Sequence, residues 1–135
     1  MVLAGVRTVE PSEEERLVAS DVSVVGADRI RLEEPGTLEA ALDCLENRVG
    51  SVYVHLDLDV LDPEKAGKAN EFAPEGGLSA EDLKTALGVV REHFAVAAGG
   101  IASYDPAFDP DGRVLAVALA CARMLTSPKQ RTNRN

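Results

Sequence analysis

Tryptophan is absent and aromatic residues make up only 4% of the 135-residue chain, so a core of stacked rings is excluded and the interior has to be built from Val, Leu, Ile and Ala. Basic side chains are also in short supply, 14 against 23 acidic ones for a formal net charge of −9. That balance argues against nucleic acid or an anionic membrane as partner and suits cations or small cationic substrates. There are two cysteines, Cys44 and Cys121, far apart and each inside an apolar helical pattern. They are expected to be buried free thiols in a reducing compartment rather than a disulfide scaffold. No window approaches the ~18 apolar residues of a membrane span. Met1–Glu10 lacks a basic stretch followed by a long apolar run, so a cytoplasmic protein is expected. Repeats and low-complexity segments are missing as well.

What is present reads as alternating strands and helices within one domain. Val2 to Val6 is a short apolar strand, and Pro11 and Ser12 followed by Glu13, Glu14 and Glu15 place acids over the positive end of a helix running to about Ser20. Val22 to Val25 is a second β-branched run. Beyond Asp28 to Leu32, a helix opens at Thr37 with Leu38, Ala41, Leu42 and Leu45 at helical spacing. Ser51 to Asp59 reads SVYVHLDLD, a strand in which Val52, Val54, Leu56 and Leu58 alternate with Tyr53, His55, Asp57 and Asp59. Residues 62 to 77 form an irregular stretch too long for an ordinary connection. Ser79 with Asp82 three residues on predicts a capping box, ahead of a stripe of Leu83, Leu87, Val90 and Phe94. Ala95 to Ala102 is a fourth strand, and residues 113 to 126 a final helix. The domain is expected over residues 1–127 and a disordered polar tail over 128–135. Apolar strands that look buried on both faces place the chain in the α/β class with a mainly parallel sheet. A strand of that kind within six residues of Met1 reads as part of a larger sheet.

Asp57 and Asp59 are the residues on which the chemistry centres. In a parallel sheet, ligands gather at the carboxyl ends of strands, and a spacing of two places both carboxylates on one face. Two such groups ~6 to 7 Å apart repel each other and resist desolvation, which calls for a cation between them. Capping of the next helix or pairing with an Arg such as Arg7 satisfies them equally. His55 lies one further step of two along the face, as a hydrogen-bonded neighbour or as a ligand that shifts the preference toward Mn, Fe or Zn. Asp62 before Pro63 reads as a turn residue pinning the loop.

The stretches HLDLDVLDP at 55–63 and PEGGLS at 74–79 resemble the ureohydrolase superfamily, the arginases and agmatinases. GVRTVEPSEEE at 5–15 and SYDPAFDPDGR at 103–113 are similar to its strand ahead of the metal motif and to its closing segment. The resemblance spans nearly the whole chain and is to the C-terminal half of the family. It implies a three-layer α/β/α fold, truncated here, in which paired Mn ions generate the hydroxide that attacks a guanidinium carbon and releases urea and an amine. Residue by residue, Asp57 and Asp59 match the two carboxylates of the family's second metal motif.

The departures from the family pattern bear on function. The motifs GGDH and DAHxD, which carry the family's remaining His and Asp ligands in its first half, do not occur in this chain, whose only histidines are His55 and His93. His55 stands where the family has a small hydroxyl residue and is a candidate substituted ligand or proton carrier. Ser103 occupies the position of a guanidinium-holding Glu. Glu71, in the loop KANEFAPEGG, is the candidate substitute anchor for a cationic guanidine or amidine, through the bidentate geometry such groups favour; a solvated loop charge is the plainer reading. Two functions follow as expectations. One is a Mn-dependent hydrolase of linear amidines or guanidines, incomplete as this chain and completed by self-association or by a complementary upstream half. The other is a non-catalytic binding or assembly module that keeps the fold. An unrelated phosphotransfer domain ranks last, because the phosphate loop and a suitable Lys are missing.

Overall fold

Short β-branched runs separated by capped helices leave the backbone little choice but a sequence of strand–helix–strand units. The computed structural model describes residues 1–31 and 36–128. In chain order they form β1 (Val2–Val6), α1 (Pro11–Val18), β2 (Ser23–Gly26), α2 (Ala27–Arg31), α3 (Thr37–Glu46), β3 (Ser51–Asp57), α4 (Ala80–His93), β4 (Ala95–Ala102) and α5 (Arg113–Thr126). Single 3-10 turns occupy Leu58–Val60 and Pro106–Phe108. β1 pairs with β2 and β3 with β4, both in parallel, with α1 and α4 inside the crossovers. The second ladder runs from Ser51↔Ala95 to Asp57↔Ala102, with a shift after Val52.

The helix starts follow their local chemistry. Pro11 opens α1, and the Glu13 carboxylate accepts the Glu10 N–H. The capping box at α4 is present: Ser79 Oγ accepts the Asp82 N–H at 3.1 Å and Asp82 Oδ2 accepts the Ser79 N–H at 2.8 Å. For α5 the cap comes from Asp109, three residues earlier than Gly112, whose carboxylate takes the N–H groups of Val114 and Leu115 at 3.1 and 2.9 Å and the Tyr104 hydroxyl at 3.2 Å. Burial pushes the Asp109 carboxyl up, but the Leu115 and Val114 N–H groups, followed by the Tyr104 bond, outweigh it and hold the group below its ordinary value.

Helices α2 to α5 touch in succession and form one layer. Beneath α4 and α5 lies the larger core, in which Leu56, Leu58 and Leu61 pack against Leu83, Leu87, Val114, Cys121 and Leu125. A smaller cluster of Val25, Leu38, Leu42 and Phe94 holds β1, β2 and α3. Their buried members are aliphatic apart from Phe94 and Cys121, as the scarcity of aromatics requires.

The structure departs from expectation in four places. The strands are covered on one face only: Val52, Val54 and Leu56 face the helices, whereas Tyr53, His55 and Asp57 are exposed. The Ala and Gly content of β4 reads as a buried strand in sequence, yet Ala95, Ala97, Ala98 and Gly99 are exposed, because apolar composition reports what a strand can pack against and not what is there. Cys44 is exposed, contrary to the expected burial, since it falls on the outer side of α3; Cys121 is buried and free, and its burial pushes the thiol up. The residues from Asp28 form a helix of their own, α2, ahead of α3. The expected tail lies, from residue 129 on, outside the described residues.

Candidate functional site

Parallel strands bring their carboxyl ends to one edge of a sheet. Asp57 to Asp59 at the end of β3 and Ser103 after β4 therefore lie near one another, and Arg7, after β1 of the other two-stranded sheet, reaches the same turn with its side chain. The strand ends at Asp57, two residues before the expected end, because the Asp57 carboxylate accepts the Asp59 N–H at 2.9 Å and turns the chain into the 3-10 turn. Asp57 and Asp59 are thus associated by a side-chain-capped turn and not by the pleat of a continuous strand. Leu58, fully buried between them, and Leu61 anchor the turn in the main core.

Partners on three segments hold this turn in place. Arg7 donates one terminal guanidinium nitrogen to the Gly5 carbonyl at 3.1 Å and the other to the carbonyl of Asp59. It therefore ties β1 to the backbone of the site rather than to the carboxylates of Asp57 and Asp59. Asn70 Nδ2 donates to Asp59 Oδ1 at 2.5 Å and to the Ser103 carbonyl at 2.9 Å. Asp62, buried, is the loop pin that its place before Pro63 predicts, accepting from the N–H groups of Glu64, Lys65 and Gly76. The loop returns through Gly77, where a Cβ would stand 2.5 Å from the Val60 carbonyl oxygen, so no other residue lets Leu78 pair with Leu61.

The sequence-predicted residues do not all converge. Asp57 is exposed and Asp59 half-buried, and each keeps one carboxylate oxygen that accepts no hydrogen bond among the described residues. His55 lies on the exposed face of β3 and stacks against Tyr53, ring centroids 6.4 Å apart. Glu71 is exposed in the loop, next to Asn70. Among the described residues the one group of three potential metal ligands within mutual reach is elsewhere: Asp43 and Glu46 of α3 with His93 of α4. His93 Nδ1 donates to the Val89 carbonyl at 2.9 Å, and Nε2 lies 3.1 Å from Asp43 Oδ1. Fifty residues separate that pair in the chain, so only the packing of α3 on α4 reveals it.

One participant escaped the sequence reading and a second was read there in a different role. Asn70 sits between Gly67 and Pro74 in a stretch where any polar residue reads as loop. Ser103, singled out in the sequence only as standing at the position of a Glu, is in the left-handed region at φ 65°, the one described non-glycine residue there, and nothing in the sequence marks that conformation.

The sequence profile of the Arginase family matches residues 1–126. Among solved structures, the chain is similar to an arginase from Bacillus caldovelox at 24% identity and a TM-score of 0.79, covering 95% of this chain and 43% of that one. It is similar also to the formimidoylglutamase of Bacillus subtilis subsp. subtilis str. 168, at 24% identity and a TM-score of 0.75 over 94% of this chain and 42% of that one. For the agmatine ureohydrolase of Thermoplasma volcanium the values are 17% and 0.70, over 93% and 40%. At these identities the likeness is one of fold. The chain spans less than half the length of each. No curated protein sequence matches it, and no helix among the described residues is long and apolar enough to cross a membrane.

Proposed function

Because this chain belongs to the arginase family, we propose that it provides the carboxylate side of a divalent-metal site for hydrolysis of a C–N bond in a linear guanidine or amidine. The observation that carries this reading is the Asp57–Asp59 turn at the carboxyl end of β3, in which each carboxylate has one oxygen bound by the protein and one that accepts no hydrogen bond among the described residues. Hard oxygen donors of this kind suit Mn or Mg over softer ions. The donor set fits one side of such a site and not a whole one, since among the described residues no third ligand joins Asp57 and Asp59 in a three-ligand group. Asp57 and Asp59 would hold the ion, whose contribution in such a site is to acidify water near neutral pH.

The other residues take roles consistent with their places. His55, exposed two residues before Asp57 on the same face of β3, is the proton carrier in this reading. Glu71, exposed at the loop beside Asn70, is the anchor for a cationic substrate, which the net charge of −9 also attracts. The remaining ligands come from the rest of an arginase-family fold, on a longer polypeptide or on a partner chain, covering the exposed strand face that carries Leu3, Val24 and Tyr53. The missing third ligand favours a second reading, a binding or assembly module without catalysis.

Titration of the full chain with Mn, read by EPR of the free ion, separates the two. The hydrolase reading expects binding in the micromolar range that Asp57→Ala and Asp59→Ala each abolish. Absence of binding by the chain, alone and in sedimentation-defined oligomers, would leave the assembly module as the function.

A further inference from the structure

We infer that Asn70 is a positioning residue that fixes the carboxylate of Asp59 for cation binding; the inference rests on the reading of Asp59 as a metal ligand. The chemistry of its partners dictates how the Asn70 amide is oriented. The Asp59 carboxylate and the Ser103 carbonyl can only accept, and the Phe72 N–H, 2.8 Å from Asn70 Oδ1, can only donate. Nδ2 therefore spends both its hydrogens on Asp59 and Ser103, while Oδ1 closes the turn to Phe72.

The residue is held on a firm base. Ala69 beside it is 1% exposed, and the Ala69 carbonyl takes the Asp105 N–H at 2.9 Å, binding the loop to the segment that follows β4. Ser103 sits between these two ties in its left-handed conformation, which costs a residue with a Cβ about 1 kcal/mol and turns its carbonyl toward Nδ2. One side chain thus joins the turn after β3, the long loop and the end of β4. For Asp59 the consequence is twofold: rotation of the carboxylate is arrested, and Oδ1 is occupied by a charge-assisted bond, so that a cation meets a single oxygen, Oδ2, in a preset direction.

The test uses the full chain, as wild type, Asn70→Ala, Asp59→Ala and the double variant. Mn dissociation constants are measured by EPR of the free ion, and thermal midpoints in EDTA complete a double-mutant cycle. Asn70→Ala is expected to weaken Mn binding about tenfold, the effect typical of a residue that orients a metal ligand. In EDTA the two single substitutions are expected to be non-additive. Asn70→Ser keeps a hydroxyl for the Phe72 N–H but falls short of Asp59, and is expected to show the same loss of affinity with the turn intact. Unchanged Mn affinity in Asn70→Ser and Asn70→Ala, beside a wild type that binds, overturns the inference. Additive melting effects overturn it too, since Asn70 then does not act through Asp59. A wild type that binds no Mn refutes the metal reading, and the metal-free cycle still decides whether Asn70 holds Asp59.

Discussion

The two strand pairs of this protein are alike in topology and unlike in support. Around β3 and β4 fourteen buried residues form one cluster, and both flanking helices, α4 and α5, have side-chain caps on their first turns. Around β1 and β2 the cluster has four buried members, α1 has none, and Leu3, Val24 and Val18 are exposed. The candidate site is built on the first pair and borrows a single clamp, Arg7, from the second. The contrast teaches that precision at the Asp57–Asp59 turn comes from the apolar anchors beside it, Leu58 and Leu61, and that the β1–β2 half, open on a strand face as β3–β4 is, has the smaller cluster behind it.

The largest expected effect breaks the anchored half. Leu58→Ala leaves a cavity in the main core and is expected to cost about 3 to 4 kcal/mol in urea unfolding, against about 2 kcal/mol for Leu42→Ala in the smaller cluster. Equal losses would erase the distinction between the halves. Asp109→Asn comes next. The folded carboxyl lies below its ordinary value of 3.8, so its contribution is fully present above that pH and fades as the pH falls through the lower folded value. The substitution is expected to cost about 1 kcal/mol at neutral pH, as for other lost helix caps. The difference from wild type should shrink in thermal melts taken toward pH 3; a gap that widened on acidification would contradict the cap. The smallest effect belongs to α1: Val18, 82% exposed, is expected to tolerate Val18→Ser within about 0.5 kcal/mol. Hydrogen exchange sharpens the same contrast, with α1 amides expected to exchange well before those of α5.

Much of this was legible in the chain. The Ser79–Asp82 box, the stripe Leu83, Leu87 and Phe94, and the alternation Val52, Val54, Leu56 are local patterns, in which a residue's environment is set by neighbours three or two positions away. Asp57 and the pinning Asp62 were legible for the same reason, since each accepts backbone N–H groups within a few residues or along one loop. The exposed side of Cys44 and the open face of β4 were not, because a hydrophobic pattern records a capacity for burial and the partner that satisfies it lies far off in the chain.

By itself, then, the sequence determined the α/β class, the order of the elements apart from α2, the family and the pair of carboxylates at the end of β3, all from spacings of a few residues. The tertiary structure decided the rest: that the strand stops at Asp57, that Arg7 grips the Asp59 backbone from 52 positions away, and that Asn70 joins Asp59 to Ser103 across spans of 11 and 33 residues. Local backbone preference acts over a turn or a strand step, whereas a hydrogen bond between distant segments exists only once the core has packed and brought its donor and acceptor within 3 Å or so.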